Sequence, residues 1–156
     1  MKFYILFLIT SLILLIISAC KDGNSFGYEY QPVVENEGIE SIDNVKPTIT
    51  INEKGNPMTM TVVYAGLYTE THKATFDSND MCSSYIVTEE YKSSALADVA
   101  WAEYQDDMDD KNVNYSRNGK TITIDMSSKF KGMDRQYVLM VFDVHKANIE
   151  REYSGK

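Results

Sequence analysis

The sequence predicts an α+β domain in which an antiparallel sheet of about six or seven strands packs against one main helix. Three observations favour this fold class. Several runs rich in Thr, Val, Ile and Tyr are separated by short turn-forming segments, as antiparallel strands are. One segment, from Ser94 to about Asp110, instead repeats apolar residues at helical spacing. The 156 residues suffice for one such domain and a short additional segment.

The first part of the sheet is predicted from four β-prone runs. Thr48 to Asn52 and Met58 to Tyr64 flank a turn that contains Gly and Pro, which indicates a hairpin. Leu67 to Phe76 forms a third run and ends in a cluster of turn-forming residues. Tyr85 to Tyr91 is expected to form a fourth strand, although neither of its faces is purely apolar.

The predicted main helix begins at Ser94, a residue type that caps helix N-termini well. Its apolar stripe, flanked by Val99 and Trp101, repeats every fourth residue and should cover one face of the sheet. The stripe consists of Leu96, Ala100, Tyr104 and Met108. Trp101 is the only tryptophan, and a position as a core anchor is favoured over a ligand-stacking role.

A hairpin is predicted after this helix, because Asn118-Gly119 is a favoured two-residue type I′ turn. This turn pairs Tyr115 with Ile122 and keeps the apolar residues on one face. Asp125 to Phe130 is expected to extend the second arm of the hairpin.

The final segment of the domain leaves two interpretations open. Gln136 to Val144 contains the apolar run YVLMVF, which predicts a central buried strand, with a helix that starts at Asp134 as the alternative. The charged tail from Lys146 to Lys156 is expected to fray or to form a short helix.

The N-terminus carries an apolar run, FYILFLITSLILLII, from Phe3 to Ile17, which follows Lys2. A membrane-spanning helix needs about 20 apolar residues. A shorter run with a basic start is typical of a signal peptide, although an uncleaved anchor remains an alternative.

The next residues, Ile17-Ser18-Ala19-Cys20, resemble the lipobox of bacterial lipoproteins. This resemblance implies cleavage before Cys20, attachment of diacylglycerol to its thiol and acylation of the new amino terminus, with fatty acids such as palmitate. We therefore expect a signal peptide at 1–19, a lipidated cysteine and flexible acidic tether at 20–46, and one domain at 47–156.

The expected location is the cell envelope, with the protein anchored to a membrane by lipid. The outer membrane or cell surface is favoured over the inner membrane. The Lys21-Asp22 pair partly resembles acidic export signals of surface-exposed lipoproteins but lacks their further acids, so display on the surface stays open. The order of elements and the segment IDMSSKF, at 124–130, also resemble the small YehR-like lipoproteins. That resemblance implies no catalytic residue.

The charge balance excludes some partners. Fifteen Lys and Arg against 23 Asp and Glu give a net charge of −8, which disfavours binding to nucleic acid. Removal of residues 1–19 takes away one Lys and no acid, so the mature chain carries 14 basic and 23 acidic residues, a net of −9. Anionic headgroups would repel such a chain, so the membrane anchor must be its lipid.

Four aspartates near the end of the predicted helix form a candidate cation site: Asp106, Asp107, Asp109 and Asp110. Their charge opposes the helix dipole, which would suit a bound cation or a basic partner. The calcium-loop pattern fails in every frame, however, so a solvated helix end is the favoured interpretation.

Nitrogen and thiol ligands beyond the tether are limited to His72, His145 and Cys82, whose spacing matches no zinc or nucleophile motif. His72 is expected to face solvent and Cys82 to be buried. Met58 and Met60 would share a strand face and could bind a soft metal such as Cu(I), although core filling is favoured.

Two carboxylate pairs could provide acid and base groups: Glu89 with Glu90, and Asp125 with Asp134. Nothing in the sequence brings either pair together, and no cofactor motif is present. We therefore expect a noncatalytic binding or assembly module of the cell envelope with another envelope protein as its partner. The alternative is a small envelope enzyme or a cation-binding protein that uses clustered carboxylates.

Overall fold

The computed structural model describes residues 46–107 and 113–154, and these form an α+β domain, as the sequence predicts. The described part contains one six-stranded antiparallel sheet with the order β1-β2-β3-β4-β6-β5. The strands are β1 (Thr48–Asn52), β2 (Met58–Tyr64), β3 (Tyr68–Phe76), β4 (Cys82–Tyr91), β5 (Asn114–Asn118) and β6 (Thr121–Asp125). The helices are α1 (Ser94–Asp107), α2 (Ser127–Phe130) and α3 (Arg135–Tyr153).

The outer face of the sheet carries a row of small polar side chains. A single row of hydroxyl groups crosses all six strands in register: Thr50, Thr61, Thr71, Thr88, Thr123 and Ser116. Threonine favours strands, and these side chains are exposed or half-buried. The apolar residues that alternate with them therefore point to the opposite, inner face.

All three helices pack on the inner face. The Tyr104 hydroxyl of α1 donates a hydrogen bond to Glu89 of β4. The ring of Phe130 in α2 stacks on Tyr85 of β4, with centroids 3.9 Å apart. Phe142 of α3 makes an edge contact with the same tyrosine ring at 6.2 Å. The core therefore lies between one sheet face and one layer of helices. Within the described residues, no helix is both long enough and apolar enough to cross a bilayer.

The prediction of a strand at Gln136 to Val144 is wrong, because this segment lies within α3. The alternative of a helix that begins at Asp134 is correct, since the Asp134 carboxylate caps it by accepting a hydrogen bond from the Tyr137 amide at 2.7 Å. The apolar run spreads around a helix whose buried positions are Val138, Val141, Phe142, His145 and Ile149. The main helix is thus the C-terminal one, and it includes most of the charged tail.

The predicted helix at Ser94 is confirmed, with two changes in detail. Ser93, one residue earlier than expected, caps it by accepting a hydrogen bond from the Leu96 amide at 3.3 Å. The buried stripe consists of Ala97, Ala100 and Tyr104. Leu96 and Trp101 are only half-buried, and Val99 is 40% exposed.

The hairpin after α1 is confirmed, but its register differs by two residues. Asn118 pairs with Thr121, so the turn is Gly119-Lys120, and Tyr115 pairs with Ile124. Gly119 has φ +58, which suits the first central position of a type II′ turn. A slip of two residues leaves every side chain on its predicted face.

The second arm of this hairpin does not reach Phe130. β6 ends at Asp125, whose carboxylate accepts a hydrogen bond from the Ser127 amide at 2.9 Å and so begins the short helix α2. This change of direction places Phe130 in the core with no exposed surface.

Arg135, at the start of α3, connects three separate parts of the chain. Its guanidinium donates to the Asp80 carboxylate at 2.8 Å and to the Gly55 carbonyl at 2.9 Å. It also lies over the Phe76 ring, 4.1 Å from the centroid. The turn between β1 and β2, the end of β3 and the start of α3 are therefore linked by one side chain.

We expect Arg135→Met to lower the free energy of unfolding by about 1 to 3 kcal/mol. Met can still pack on the Phe76 ring, but the charged donors to Asp80 and Gly55 are lost. Urea denaturation followed by circular dichroism measures this change. Arg151→Met is the control, because its exposed guanidinium bonds the Asn148 amide oxygen on the same helix turn, and its effect should stay below about 0.5 kcal/mol. Equal effects of the two substitutions would show that Arg135 contributes no special stability.

Candidate functional site

The candidate site begins on β3, where buried and partly exposed residues alternate. Glu70 and His72 both lie on the inner face, and neither has any exposed surface. The expectation that His72 faces solvent is therefore wrong. Its neighbours Thr71 and Lys73 occupy the outer face, and strand geometry then directs the histidine inward.

The helix α3 adds a third polar group. His145 is 3% exposed, and its Nε2 lies 3.1 Å from Oε1 of Glu70. Nε2 of His72 forms a hydrogen bond with the same carboxylate oxygen. We name these three residues the Glu-His-His cluster; their ligand atoms all lie within 4.8 Å of one another.

Tyr85 of β4 fixes the orientation of one ring in this cluster. Its hydroxyl lies 2.9 Å from Nδ1 of His72. When the tyrosine donates to Nδ1, the proton of His72 is on Nε2 and is donated to Glu70. Oε2 of Glu70 and Nδ1 of His145 have no hydrogen-bond partner within the described part of the chain. The cluster is therefore incompletely satisfied, which is uncommon for buried polar groups.

The charge in the cluster is carried by Glu70. Burial opposes its ionisation, but the two histidines outweigh burial and hold the pKa of Glu70 well below its usual range. Burial also lowers the pKa of His72, against the opposing influence of Glu70. The result is a buried, ionised carboxylate that two imidazole rings contact.

A second buried acid lies opposite the first. Glu89 of β4 pairs in register with Glu70 and has no exposed surface. Its two carboxylate oxygens accept hydrogen bonds from Tyr91 at 2.7 Å and from Tyr104 at 2.6 Å. Burial, followed by the charge of Glu70, raises the pKa of Glu89 to about 8. At neutral pH the inner face thus holds one ionised and one protonated carboxyl group.

Other residues considered from the sequence do not join this site. Cys82 is buried, as expected, and burial raises the pKa of its thiol. Met58 and Met60 are fully buried and fill the core, the favoured interpretation. Glu90 is exposed on the face opposite to Glu89, so these two acids do not act together.

The remaining carboxylates have local roles or cannot be placed. The Asp125 carboxylate accepts a hydrogen bond from the Ser127 amide in the turn before α2, and the Asp134 carboxylate caps α3. Cys20, Asp109 and Asp110 lie outside the described residues, as do the side chains of Asp106 and Asp107.

The comparisons with known proteins leave the geometry as the basis for interpretation. No protein-family model, curated protein or solved structure matches this chain.

We expect the stability of the wild type to decrease as pH rises from about 5 to 8, relative to Glu89→Gln. Glu89 keeps its proton in the folded state up to a pKa of about 8, whereas the unfolded chain releases it near the ordinary carboxyl pKa of 4.5. Ionisation in this window therefore favours the unfolded chain. Gln cannot ionise, and it retains an oxygen that accepts a hydrogen bond from tyrosine.

Urea denaturation at pH 5, 6.5 and 8 measures the free energy of unfolding of both proteins. Between pH 5 and 8 we expect the wild type to lose about 2 to 4 kcal/mol relative to Glu89→Gln. Glu90→Gln, the exposed neighbour, serves as the control and should leave the wild-type profile unchanged. If the free energy of unfolding changed with pH in the same way in the wild type and in Glu89→Gln, the protonated state of Glu89 would be contradicted.

Proposed function

We propose that this protein is a lipid-anchored protein of the bacterial cell envelope and that its domain binds another envelope protein rather than catalysing a reaction. The anchor is the lipid on Cys20, by resemblance of 17–20 to a lipobox. Each buried methylene contributes about 0.8 kcal/mol, so two or three acyl chains hold a protein on a membrane when one does not. The acidic domain then needs no membrane contact of its own.

The observation that carries the binding role is a second apolar stripe on α3. The side of the helix that faces away from the core lines a shallow depression of about 440 Å³. The depression is lined by Gln136, Leu139, Met140, Asp143, Val144 and Ala147, which we name the α3 stripe. Met140 is 46% exposed. A helix that is apolar on two sides is typical of one that packs against a second partner.

The shape and charge of the α3 stripe fit a helix with basic flanks. The stripe covers residues 136–147, which is about 16 Å at 1.5 Å per residue, or roughly three turns. Its apolar residues include Met140, Val144 and Ala147, which have the i, i+4, i+7 spacing of helices that pack their apolar side against a partner. Asp143 is the charged member of the stripe, and the mature chain is strongly acidic, so Lys or Arg beside the apolar residues of the partner would be attracted.

The burial of the ionisable groups argues against an enzyme. Glu70, His72 and Glu89 have no exposed surface, and His145 is 3% exposed. A general acid or base must come within hydrogen-bond reach of the substrate atom that it protonates or deprotonates. These groups are in contact with one another and with tyrosines inside the core, so a substrate cannot reach them without displacement of α3.

The lipid anchor predicts a difference in mass between the wild type and Cys20→Ser. Wild-type protein from the membrane fraction should lack residues 1–19 and carry the added mass of the acyl chains. Cys20→Ser should stay near the full mass of 17.8 kDa, because the modified thiol that the peptidase requires is missing. Intact mass spectrometry measures both. A wild-type chain that is uncut and unacylated would remove the localisation proposal.

The binding role predicts a crosslink from position 140 that is specific to the α3 stripe. A photoreactive residue at Met140, in the full chain in intact cells, should give one crosslinked protein, because partner side chains cover this position. The same residue at Val99, a similarly exposed apolar position on α1, is the control and should give no such product.

Mass spectrometry identifies the crosslinked protein, and purification of that protein should recover this chain in return. Val144→Asp should abolish the crosslink, because it places a second negative charge in the stripe. The same product from positions 140 and 99, its persistence in Val144→Asp, or a crosslink to lipid would contradict a protein partner on α3.

A further inference from the structure

We propose that the Glu-His-His cluster is a metal site that binds one divalent transition metal ion, with Zn²⁺ as the ion that its ligands fit. The ion would join α3 to the sheet, because Glu70 and His72 belong to β3 and His145 belongs to α3. This inference is independent of the α3 stripe, which lies on the opposite side of the helix.

The ligand set is one that zinc prefers. Two imidazoles and one carboxylate supply nitrogen and oxygen donors, which zinc binds at about 2.0 to 2.2 Å. Two atoms bound to the same zinc ion are therefore roughly 3 to 4 Å apart. Nε2 of His145 and Oε1 of Glu70 are 3.1 Å apart, and all the ligand atoms of the cluster lie within 4.8 Å.

The surroundings of the cluster orient one ligand for metal binding. Metal-bound histidines commonly use one ring nitrogen for the ion and the other for an outer hydrogen bond that fixes the ring. His72 has this arrangement, since Nε2 points toward Glu70 and Nδ1 lies 2.9 Å from the Tyr85 hydroxyl. On binding, the imidazole proton would shift from Nε2 to Nδ1, and the Tyr85 oxygen would accept it in a hydrogen bond.

The charge of the cluster also favours a cation. The Glu70 carboxylate is completely buried, and its contacts with basic side chains within the described residues are limited to the two histidines, which are charged only when protonated. Moving a carboxylate out of water is costly unless a counter-charge compensates it. Its second oxygen, Oε2, has no described hydrogen-bond partner, so the buried carboxylate is left incompletely compensated.

The enclosure of the site narrows the choice of metal. Calcium and magnesium take oxygen ligands, which does not match two imidazoles. Iron sites with two histidines and one carboxylate keep open positions for oxygen and substrate, whereas these three residues are buried. A closed site that holds zinc for structural purposes agrees better with their burial. Because α3 closes over the ligands, the ion would enter as the domain folds.

The test uses the untagged full chain, unfolded in chelator and refolded with or without Zn²⁺ or Co²⁺. After removal of free metal, we expect about one zinc ion per chain by mass spectrometry of the metal, and a Tm higher by at least about 5 °C. The cobalt form should show visible absorption bands of a Co²⁺ ion bound by nitrogen and oxygen ligands, which Co²⁺ in free solution would not reproduce.

His145→Gln and His72→Gln should each lower zinc affinity by at least about tenfold, since one ligand of three is lost. Glu89→Gln is the matched control, because it changes the neighbouring buried acid without removing a ligand, and it should retain the metal. Less than about one zinc per ten wild-type chains after refolding would overturn the proposal. So would a Tm that zinc does not change, or zinc binding that survives unchanged in both histidine variants.

Discussion

The buried carboxylate of Glu70 is the constraint on which the rest of this domain depends. A carboxylate loses several kcal/mol of hydration when it leaves water, and only strong partners offset that loss. Here the partners come from two elements, since His72 lies on the same strand and His145 on α3. The helix must therefore dock with one particular side against the sheet, because a rotation would take His145 away from Glu70 and leave the buried carboxylate with His72 alone. Packing of Val138 and Phe142 on the same side of α3 adds the apolar contribution.

The inner face of the sheet accommodates two acids because they differ in protonation. Glu70 and Glu89 are directly opposite each other on neighbouring strands. If both carboxylates were ionised in the core, they would repel each other strongly. The histidines keep Glu70 ionised, whereas burial and the charge of Glu70 outweigh the hydrogen bonds from Tyr91 and Tyr104 and raise the pKa of Glu89, which keeps its proton to a higher pH. Stacked rings of Tyr64, Tyr68 and Tyr91 enclose this end of the core, with centroids 4.5 and 5.1 Å apart.

The two proposals concern opposite sides of α3. Its inner side supplies His145 to the Glu-His-His cluster, and its outer side presents the α3 stripe. If a metal ion fixes the inner side, the outer side becomes a rigid surface whose side chains are already arranged for a partner. Rigid surfaces lose less conformational entropy on binding. The proposed metal site would in this way support the proposed interaction without taking part in it.

The sequence by itself determined the strands and α1, because their periodicity and turn residues are local signals. β1 and β2 match the predicted bounds, and the faces of the last hairpin are correct although its register is shifted. Gln136 to Val144 was ambiguous, since a short apolar run suits a buried strand or a helix equally, and only packing against the sheet decides between them. The cluster likewise depends on tertiary structure, because 73 positions separate His72 from His145 and no local pattern reports their contact. The alternation of threonine with Glu70 and His72 was the one local sign that both face inward, and only the docking of α3 shows what they meet there.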